Sequence, residues 1–452
     1  VELNGEWRFV WNQFVDPMPS DVFRPKYNGT TSLPATWRRQ PHPHEPGEYL
    51  PGQGYATYVL EVRLPDRHEN PLAISFGTQS SAATWQVVDA ASGAILGTTK
   101  QGTVGVTKES NVPVWFEPYV AFSTGSSQSI QVWSHISNFH HARGGTWSPP
   151  SLGGENAVQQ ARAFTLMSNV AVFGICLIIA FYHFVVFMLR REDTSSLYFG
   201  LFCAAIATRQ CMTSELVQEM GIGHSVLGFE AFTALEYNSL TLIIGCAGMF
   251  ILSLVPSLIF RGFVYIVGIG VGAVFLTLIF TTPVLVFSEY LIVFQVHMLL
   301  ALGVGVFHLV VHSIRGHIIA RWLLLAFMLL GIGVVNDLLN SQHMITTGYL
   351  AAYTFIAFIL LQSGILAGKS AHAFRRAEHL GQNLQKEVKT QTRDLNLKTL
   401  EAQEATLEAV AAKEDAYGLR REAEEAREES DKLRADAEAQ AEELKALDHQ
   451  KT

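Results

Sequence analysis

Seven of the eight tryptophans lie in the first third of the chain: Trp7, Trp11, Trp37, Trp85, Trp115, Trp133 and Trp147. Indole faces stack on the C–H surfaces of sugar rings, and histidine or arginine beside them supplies hydrogen bonds to hydroxyl or acidic groups. Trp37, Tyr55, Trp85, His140, His141, Arg143 and Trp147 are therefore the candidate residues for a carbohydrate, another small ligand or an ion. His42 and His44 have the spacing that puts two imidazoles on one face of a strand, as a metal would require. Pro43 separates them in a proline-rich stretch, so a solvated loop and no metal site are expected there. No catalytic set is identified.

A second group sits where charge is costly. Arg209, Glu236, Asn336 and Asp337 lie within long apolar stretches, with His183, Asn238, Glu289, His297 and His308. Ionisable groups in a bilayer pair with one another or face a polar interior. The first four form a candidate transmembrane polar network, with Arg209 free to pair with Glu236 or Asp337. No lysine falls inside an apolar stretch, Lys369 following the last, so a retinal Schiff base is excluded. A third group is a stripe of leucines near the C-terminus, Leu384, Leu395, Leu407, Leu444 and Leu447, at the spacings of a coiled-coil seam.

The elements that hold these groups follow from an uneven distribution of charge. Only 16% of the 452 residues are charged, with 24 charges in residues 1–162, 14 in 163–368 and 34 in the last 84 residues. The middle block contains seven apolar stretches, near 163–189, 196–214, 230–253, 262–282, 286–312, 322–339 and 348–368, each about long enough to span a bilayer. Arg190, Arg191, Arg261, Arg315, Arg321, Lys369, Arg375 and Arg376 all follow odd-numbered stretches, while the loops near 215–229, 282–286 and 340–347 contain no Lys or Arg. Basic loops stay in the cytoplasm, so residues 1–162 are expected outside and the C-terminus inside. Cys176, Cys203, Cys211 and Cys246 all fall in or beside apolar stretches, so the N-terminal part is not a disulfide scaffold.

In that N-terminal part, Tyr58, Leu60, Val62 and Leu64 alternate with Val59, Glu61 and Arg63, and Ile130, Val132 and Ile136 alternate with Gln131, Trp133 and His135. This is the period of half-buried strands, and a two-sheet sandwich of jelly-roll type is expected. From about residue 370 glycine and proline almost vanish, leaving Gly381 and Gly418, and Ala, Glu, Lys, Arg and Leu dominate, which favours a long helix. The phase of its apolar stripe shifts, so a stutter or break is expected near 411–432. The expected architecture is a multidomain membrane protein: an extracytoplasmic β-sandwich (1–158), a seven-helix transmembrane bundle (159–368) and a cytoplasmic parallel coiled coil (369–452). It would pair as a homodimer through the coil, contact membrane lipid and bind a small extracytoplasmic ligand. A net charge of −8 without a basic patch gives no surface for nucleic acid.

Particular residues carry a resemblance. Leu33-Pro34-Ala35-Thr36-Trp37 followed by Gly54-Tyr55-Ala56-Thr57-Tyr58, and Ser137-Asn138-Phe139-His140-His141-Ala142-Arg143-Gly144-Gly145 followed by Leu152-Gly153, resemble the extracellular sensor domain of the bacterial seven-transmembrane receptors with diverse intracellular signalling modules (7TMR-DISM). Asn336-Asp337-Leu338-Leu339 and Gly348-Tyr349-Leu350 resemble that family's membrane domain, and Leu444–Thr452 resembles the lead-in to the dimerisation helix of a sensor histidine kinase. The resemblance implies a sensory receptor of a bacterial inner membrane that controls a histidine kinase of a two-component system and, through it, a response regulator or phosphorelay. It implies that the phosphoacceptor box and the domain binding ATP and Mg lie outside these residues, so no cofactor is expected in this chain. The same front end serves nucleotide cyclases and phosphatases. A transporter with a sugar-binding outer domain would need repeated, discontinuous helices, and no internal repeat is seen.

Overall fold

The computed structural model describes the chain except residues 21–28, 44, 67–68, 78, 80, 126, 215, 220–222, 343, 346 and 450–452, and except the side chains of 218–219, 223–227, 369–370 and 447–449. His44 and the Leu447 side chain thus lie outside the described residues. The chain divides into two compact units, Val1–Ile365 and Leu366–Thr452.

The first unit begins with eleven strands: β1 (Gly5–Trp11), β2 (Thr30–Leu33), β3 (Ala35–Thr36), β4 (Gly54–Arg63), β5 (Leu72–Ser75), β6 (Ala82–Asp89), β7 (Ile95–Gln101), β8 (Tyr119–Phe122), β9 (Ser129–Asn138), β10 (Gly145–Thr146) and β11 (Ser151–Gly154). Six of them form one antiparallel sheet in the order β2-β1-β4-β9-β6-β7, and β11-β5-β8 form a second. β10 pairs only with β3. The alternation seen in the sequence places Tyr58, Ile130, Val132 and Ile136 in the core with Ile74, Val120 and Phe122 of the smaller sheet. Trp133, on the opposite face of β9, joins Val59 and Val88 in a separate small cluster. The domain is sandwich-like.

Two of the candidate ligand residues are instead core. Trp37 and Trp85 are fully buried. Trp85 stacks on Phe76, with ring centroids 4.3 Å apart, and Trp37 meets Trp11 edge-on at 4.9 Å. The Trp37 indole N–H donates to the Tyr58 hydroxyl at 2.6 Å. Neither ring has a face left for a ligand, which corrects the expectation: large aromatics between two sheets are the most effective filler of a sandwich core.

Helices follow. They are α1 (Glu155–Leu189), α2 (Thr194–Thr213), α3 (Leu216–Glu219), α4 (Gly223–Leu254), α5 (Leu258–Phe263), α6 (Gly272–Thr281), α7 (Val284–Phe287), α8 (Leu291–Ile314), α9 (Ile318–Ser341) and α10 (Ala351–His449). A π-helical stretch, Val264–Val271, joins α5 to α6, and a 3-10 turn, Ser288–Tyr290, joins α7 to α8. Among the described residues, six helices are long and apolar enough to cross a membrane. The expected second span, α2, is not one of the six. It runs against both α1 and α4, and nine of its twenty residues are buried, among them Ser195, Ser196 and Gly200. A helix sheltered by its neighbours has less need of apolar surface, which accounts for its lower hydropathy.

The second unit is helical from Leu366 to His449, the remainder of α10. No break occurs near 411–432. Continuous Ala, Glu, Lys and Arg sustain the helix there without an apolar seam, helped by i,i+4 ion pairs Arg420–Glu424 (3.3 Å), Arg421–Glu425 (3.2 Å) and Arg434–Glu438 (3.9 Å).

Replacing Tyr58 by phenylalanine leaves the buried Trp37 N–H without its acceptor. The cost expected is about 1–3 kcal/mol. It is read as an earlier unfolding midpoint of the purified chain followed by tryptophan fluorescence, whereas Tyr55→Phe, at a half-buried ring, should shift it far less.

Candidate functional site

The return from β9 to β10 builds the site. The Asn138 amide donates to the carbonyl oxygens of Gly52 and His141, both at 2.6 Å, and its own oxygen accepts from the His141 N–H at 3.1 Å. Gly144 lies so close to the Trp37 ring that a Cβ there would sit 2.3 Å from it. Gly145 has φ +95°, a conformation that favours glycine. The paired glycines thus let this return close over Trp37. It then presents His141, Arg143 and Trp147 away from the core.

These three line one cavity of about 1260 Å³, which extends from the sandwich into the helices. Trp115, Glu117 and Arg162 share its sandwich end. The Trp147 ring packs on His141 (5.2 Å) and Trp115 (5.6 Å), and Trp115 in turn packs against Met212, Val217 and Phe232 of α2, α3 and α4. Arg209, Glu236, Tyr237, Asp337 and Tyr349 also line the cavity. The ligand candidates and the membrane-polar candidates, drawn from separate arguments, therefore meet in one place, apart from Trp37, Trp85, Tyr55, His140 and Asn336. Tyr55 packs on Phe14 at 5.0 Å, and His140 Nδ1 bonds the Asn111 amide at 3.1 Å.

Within the cavity, Arg209 stands 4.0 Å from Glu236, an ion pair too long for a hydrogen bond. Tyr237 is in electrostatic range of Glu236, Arg143 and Arg209 together. The nitrogens Arg209 Nη1 and Trp147 Nε1 are buried and have no hydrogen-bond partner. Burial, together with the charges of Arg143 and Arg38, pushes the His141 imidazole down to about 3, so it is neutral at physiological pH. Burial likewise lowers Arg143, and the charges of Arg39 and Arg38 add to this. Asp337 is engaged differently. Its carboxylate accepts from the N–H groups of Leu350 (2.6 Å) and Ala351 (3.2 Å), capping the start of α10. Asn336 beside it donates to Gly348 O at 2.8 Å.

The sandwich is seated on the two turns next to the cavity. Arg38 donates to Glu289 at 2.6 Å, Arg39 donates to the backbone and side-chain oxygens of Gln342, both at 3.0 Å, and the Ala142 N–H donates to Ser288 Oγ at 3.0 Å. The sequence reading missed Tyr237, Arg38, Arg39, Ser288 and Gln342, and named Trp115 and Glu289 without assigning them to the site. The adjacent Arg38-Arg39, placed right after the Trp37 motif, and Glu289, just after a loop with no Lys or Arg, were the available signals. Among the described residues no group of three or more His, Cys, Asp or Glu could hold a metal.

Residues 166–369, a little under half of the chain, match the family model described as 7TM diverse intracellular signalling. The match supports a place in that family of transmembrane sensory receptors and agrees with a multi-pass membrane protein. No curated protein matches the chain. Among solved structures, Faecalibacterium prausnitzii beta-glucuronidase is similar at 13% identity over 34% of this chain and 30% of that one, with a TM-score of 0.24. Ruminococcus gnavus beta-glucuronidase is similar at 16% identity over 34% and 28%, with a TM-score of 0.23. A putative beta-galactosidase from Bacteroides fragilis is similar at 18% identity over 34% and 22%, with a TM-score of 0.22. The chain spans less than a third of the length of each.

Two outcomes are expected. His141 has a folded pKa of about 3 against an ordinary 6.5, so below 6.5 the unfolded chain binds a proton that the folded one refuses. Stability should fall as pH drops from about 6.5, at up to about 1.4 kcal/mol per unit, and His141→Gln should flatten that slope in pH-dependent unfolding. Ala142→Cys with Ser288→Cys should give an intrachain disulfide on mild oxidation in membranes, detected by mass spectrometry; its absence would mean the sandwich is not seated on that turn.

Proposed function

We propose that the chain is the sensing and transmitting part of a bacterial inner-membrane receptor. The sandwich and the bundle jointly bind an extracytoplasmic ligand, and α10 carries the response to a cytoplasmic histidine kinase of a two-component system. The observation that carries this reading is that the cavity shared by sandwich and bundle is bordered by the turn that starts α10. Gln342, at one end of that turn, is held by Arg39 of the sandwich. Leu350 and Ala351, at the other, are held by Asp337 from the cavity wall. A ligand that pulls on Arg143 or Arg209 moves charges that act on Arg39, at the first hold, and on Tyr349, beside the second. Eight residues lie between Gln342 and Ala351, so little chain is available to absorb the movement.

The absence of Lys and Arg from the loops near 282–286 and 340–347 supports placing this end outside, since the sandwich is seated on Glu289 and Gln342 beside them. α2 then serves as the seventh span, sheltered between α1 and α4. The tail supports a parallel homodimer. Leu384, Leu395, Leu407 and Leu444 are 63–70% exposed, a cost that pairing with a second copy relieves. The downstream partner would be a response regulator or phosphorelay. A cyclase or phosphatase output would use the same front end and the same tail.

Leu395→Cys and Leu407→Cys should each crosslink into a dimer in membranes. In a chain joined at its C-terminus to a histidine-kinase core, inserting one residue after Gln391 should change autophosphorylation strongly, while inserting seven should restore it. A kinase indifferent to insertion length would sink the proposed transmission.

A further inference from the structure

We infer that the cavity binds an anionic amphiphile, a carboxylate head on an extended apolar chain, in preference to a sugar. This deepens the receptor reading and rests on it for the signalling role, though not for binding itself.

The sandwich end of the cavity offers more donors than the protein uses. Trp147 Nε1 and Arg209 Nη1 are buried without hydrogen-bond partners. Among the described residues the Arg143 guanidinium has no carboxylate partner, and it is set near Arg38 and Arg39, whose charges act on it. The carboxylates at this end are already engaged. Asp337 accepts backbone N–H groups, Glu117 is 4.0 Å from Arg162 and bonds Ser75, and Glu236 faces Arg209. Unsatisfied buried donors favour an acceptor-rich, negatively charged group, and the Arg143 guanidinium, with no carboxylate of its own, suits a carboxylate.

The rest of the cavity is of the opposite character. Along α4 it is walled by Leu240, Ile243, Ile244, Ala247, Gly248 and Ile251, recurring on one helical face. From Glu236 to Ile251 the helix rises about 22 Å. Phe202, Phe294, Phe327 and Leu330 face the same space from α2, α8 and α9. A sugar placed there would strand its hydroxyls against apolar walls at a cost of about 1–3 kcal/mol each, whereas an alkyl chain gains from the same burial. A polar head site opening into a long apolar channel is the shape of an amphiphile.

The test is binding to the full chain purified in detergent, followed by native mass spectrometry and thermal shift with three probes: dodecanoate, dodecan-1-ol and glucuronate. Dodecanoate should bind saturably, dodecan-1-ol at least tenfold more weakly, and glucuronate not at all. Arg143→Gln should weaken dodecanoate at least tenfold and leave dodecan-1-ol unchanged, which also shows that the variant is folded. Ala247→Phe, which fills the channel, should abolish both. Glucuronate binding without dodecanoate binding would overturn the inference, as would dodecanoate binding unaffected by Arg143→Gln and Ala247→Phe. Lipid extracted from the untreated protein separates two sources of the same chemistry. A co-purified anionic phospholipid displaced by dodecanoate supports the site with the bilayer as source, and saturable dodecanoate binding without one supports a diffusible amphiphile. Dodecanoate that binds as expected yet leaves the fused kinase unchanged would fail the receptor reading and not this one.

Discussion

The enclosure of Trp37 is the constraint on which the candidate site depends. Its indole is fully buried, bonded to Tyr58 and covered by a chain return that only glycine can make so tightly. Once that return is fixed, the positions of His141, Ala142 and Arg143 are fixed with it, because Asn138 ties its own strand end to both Gly52 and His141. Ala142 then bonds Ser288 of the bundle. A core packing interaction in the sandwich therefore determines where the sandwich meets the helices. The motif residues around Trp37 matter for what they hold in place, and the rings they bury are unavailable to any ligand.

The second organising contrast is between spent and unspent polarity. In the apolar interior some polar groups are used and some are not: His308 Nε2 bonds Val255 O at 3.0 Å and His297 Nε2 bonds Val267 O at 2.9 Å, while both His183 nitrogens and the Gln362 amide are buried without partners. At the junction with the sandwich, buried nitrogens are left without partners. Leaving a donor unpaired costs free energy that folding does not recover; what sets the cavity apart is that its unpaired donors, Trp147 Nε1 and Arg209 Nη1, border open space that an acceptor can enter.

Much of this was legible in the sequence, for physical reasons. Two-residue alternation in β4 and β9 identified the strands and their inward faces, because a half-buried strand has no other way to sort its side chains. Long apolar runs gave six of the helices. α2 was harder, since Arg209, Ser195 and Ser196 lower its hydropathy, and its role shows only from the helices on either side. Tryptophans were misread where ring chemistry alone was considered: Trp37 and Trp85 have the same type as Trp147, and only burial separates filler from cavity wall. Arg209, Glu236 and Asp337 were recognisable as costly residues needing partners. That Asp337 caps a helix thirteen residues onward, or that Arg38 and Arg39 reach Glu289 and Gln342, is a matter of tertiary placement that local pattern does not carry.

The π-helical stretch Val264–Val271 contributes Val264 and Gly268 to the cavity wall. Its backbone bonds reach one residue further than in an α-helix, and its Val267 carbonyl is engaged by His297 from α8. The girth of the cavity at this level thus depends on main-chain winding as well as on side-chain bulk. Losing a single residue from this stretch would rewind it more tightly and reshape the wall while leaving His141, Arg143 and Trp147 at the far end untouched. The cross-section of the cavity can in that way change while the side chains at its sandwich end stay the same.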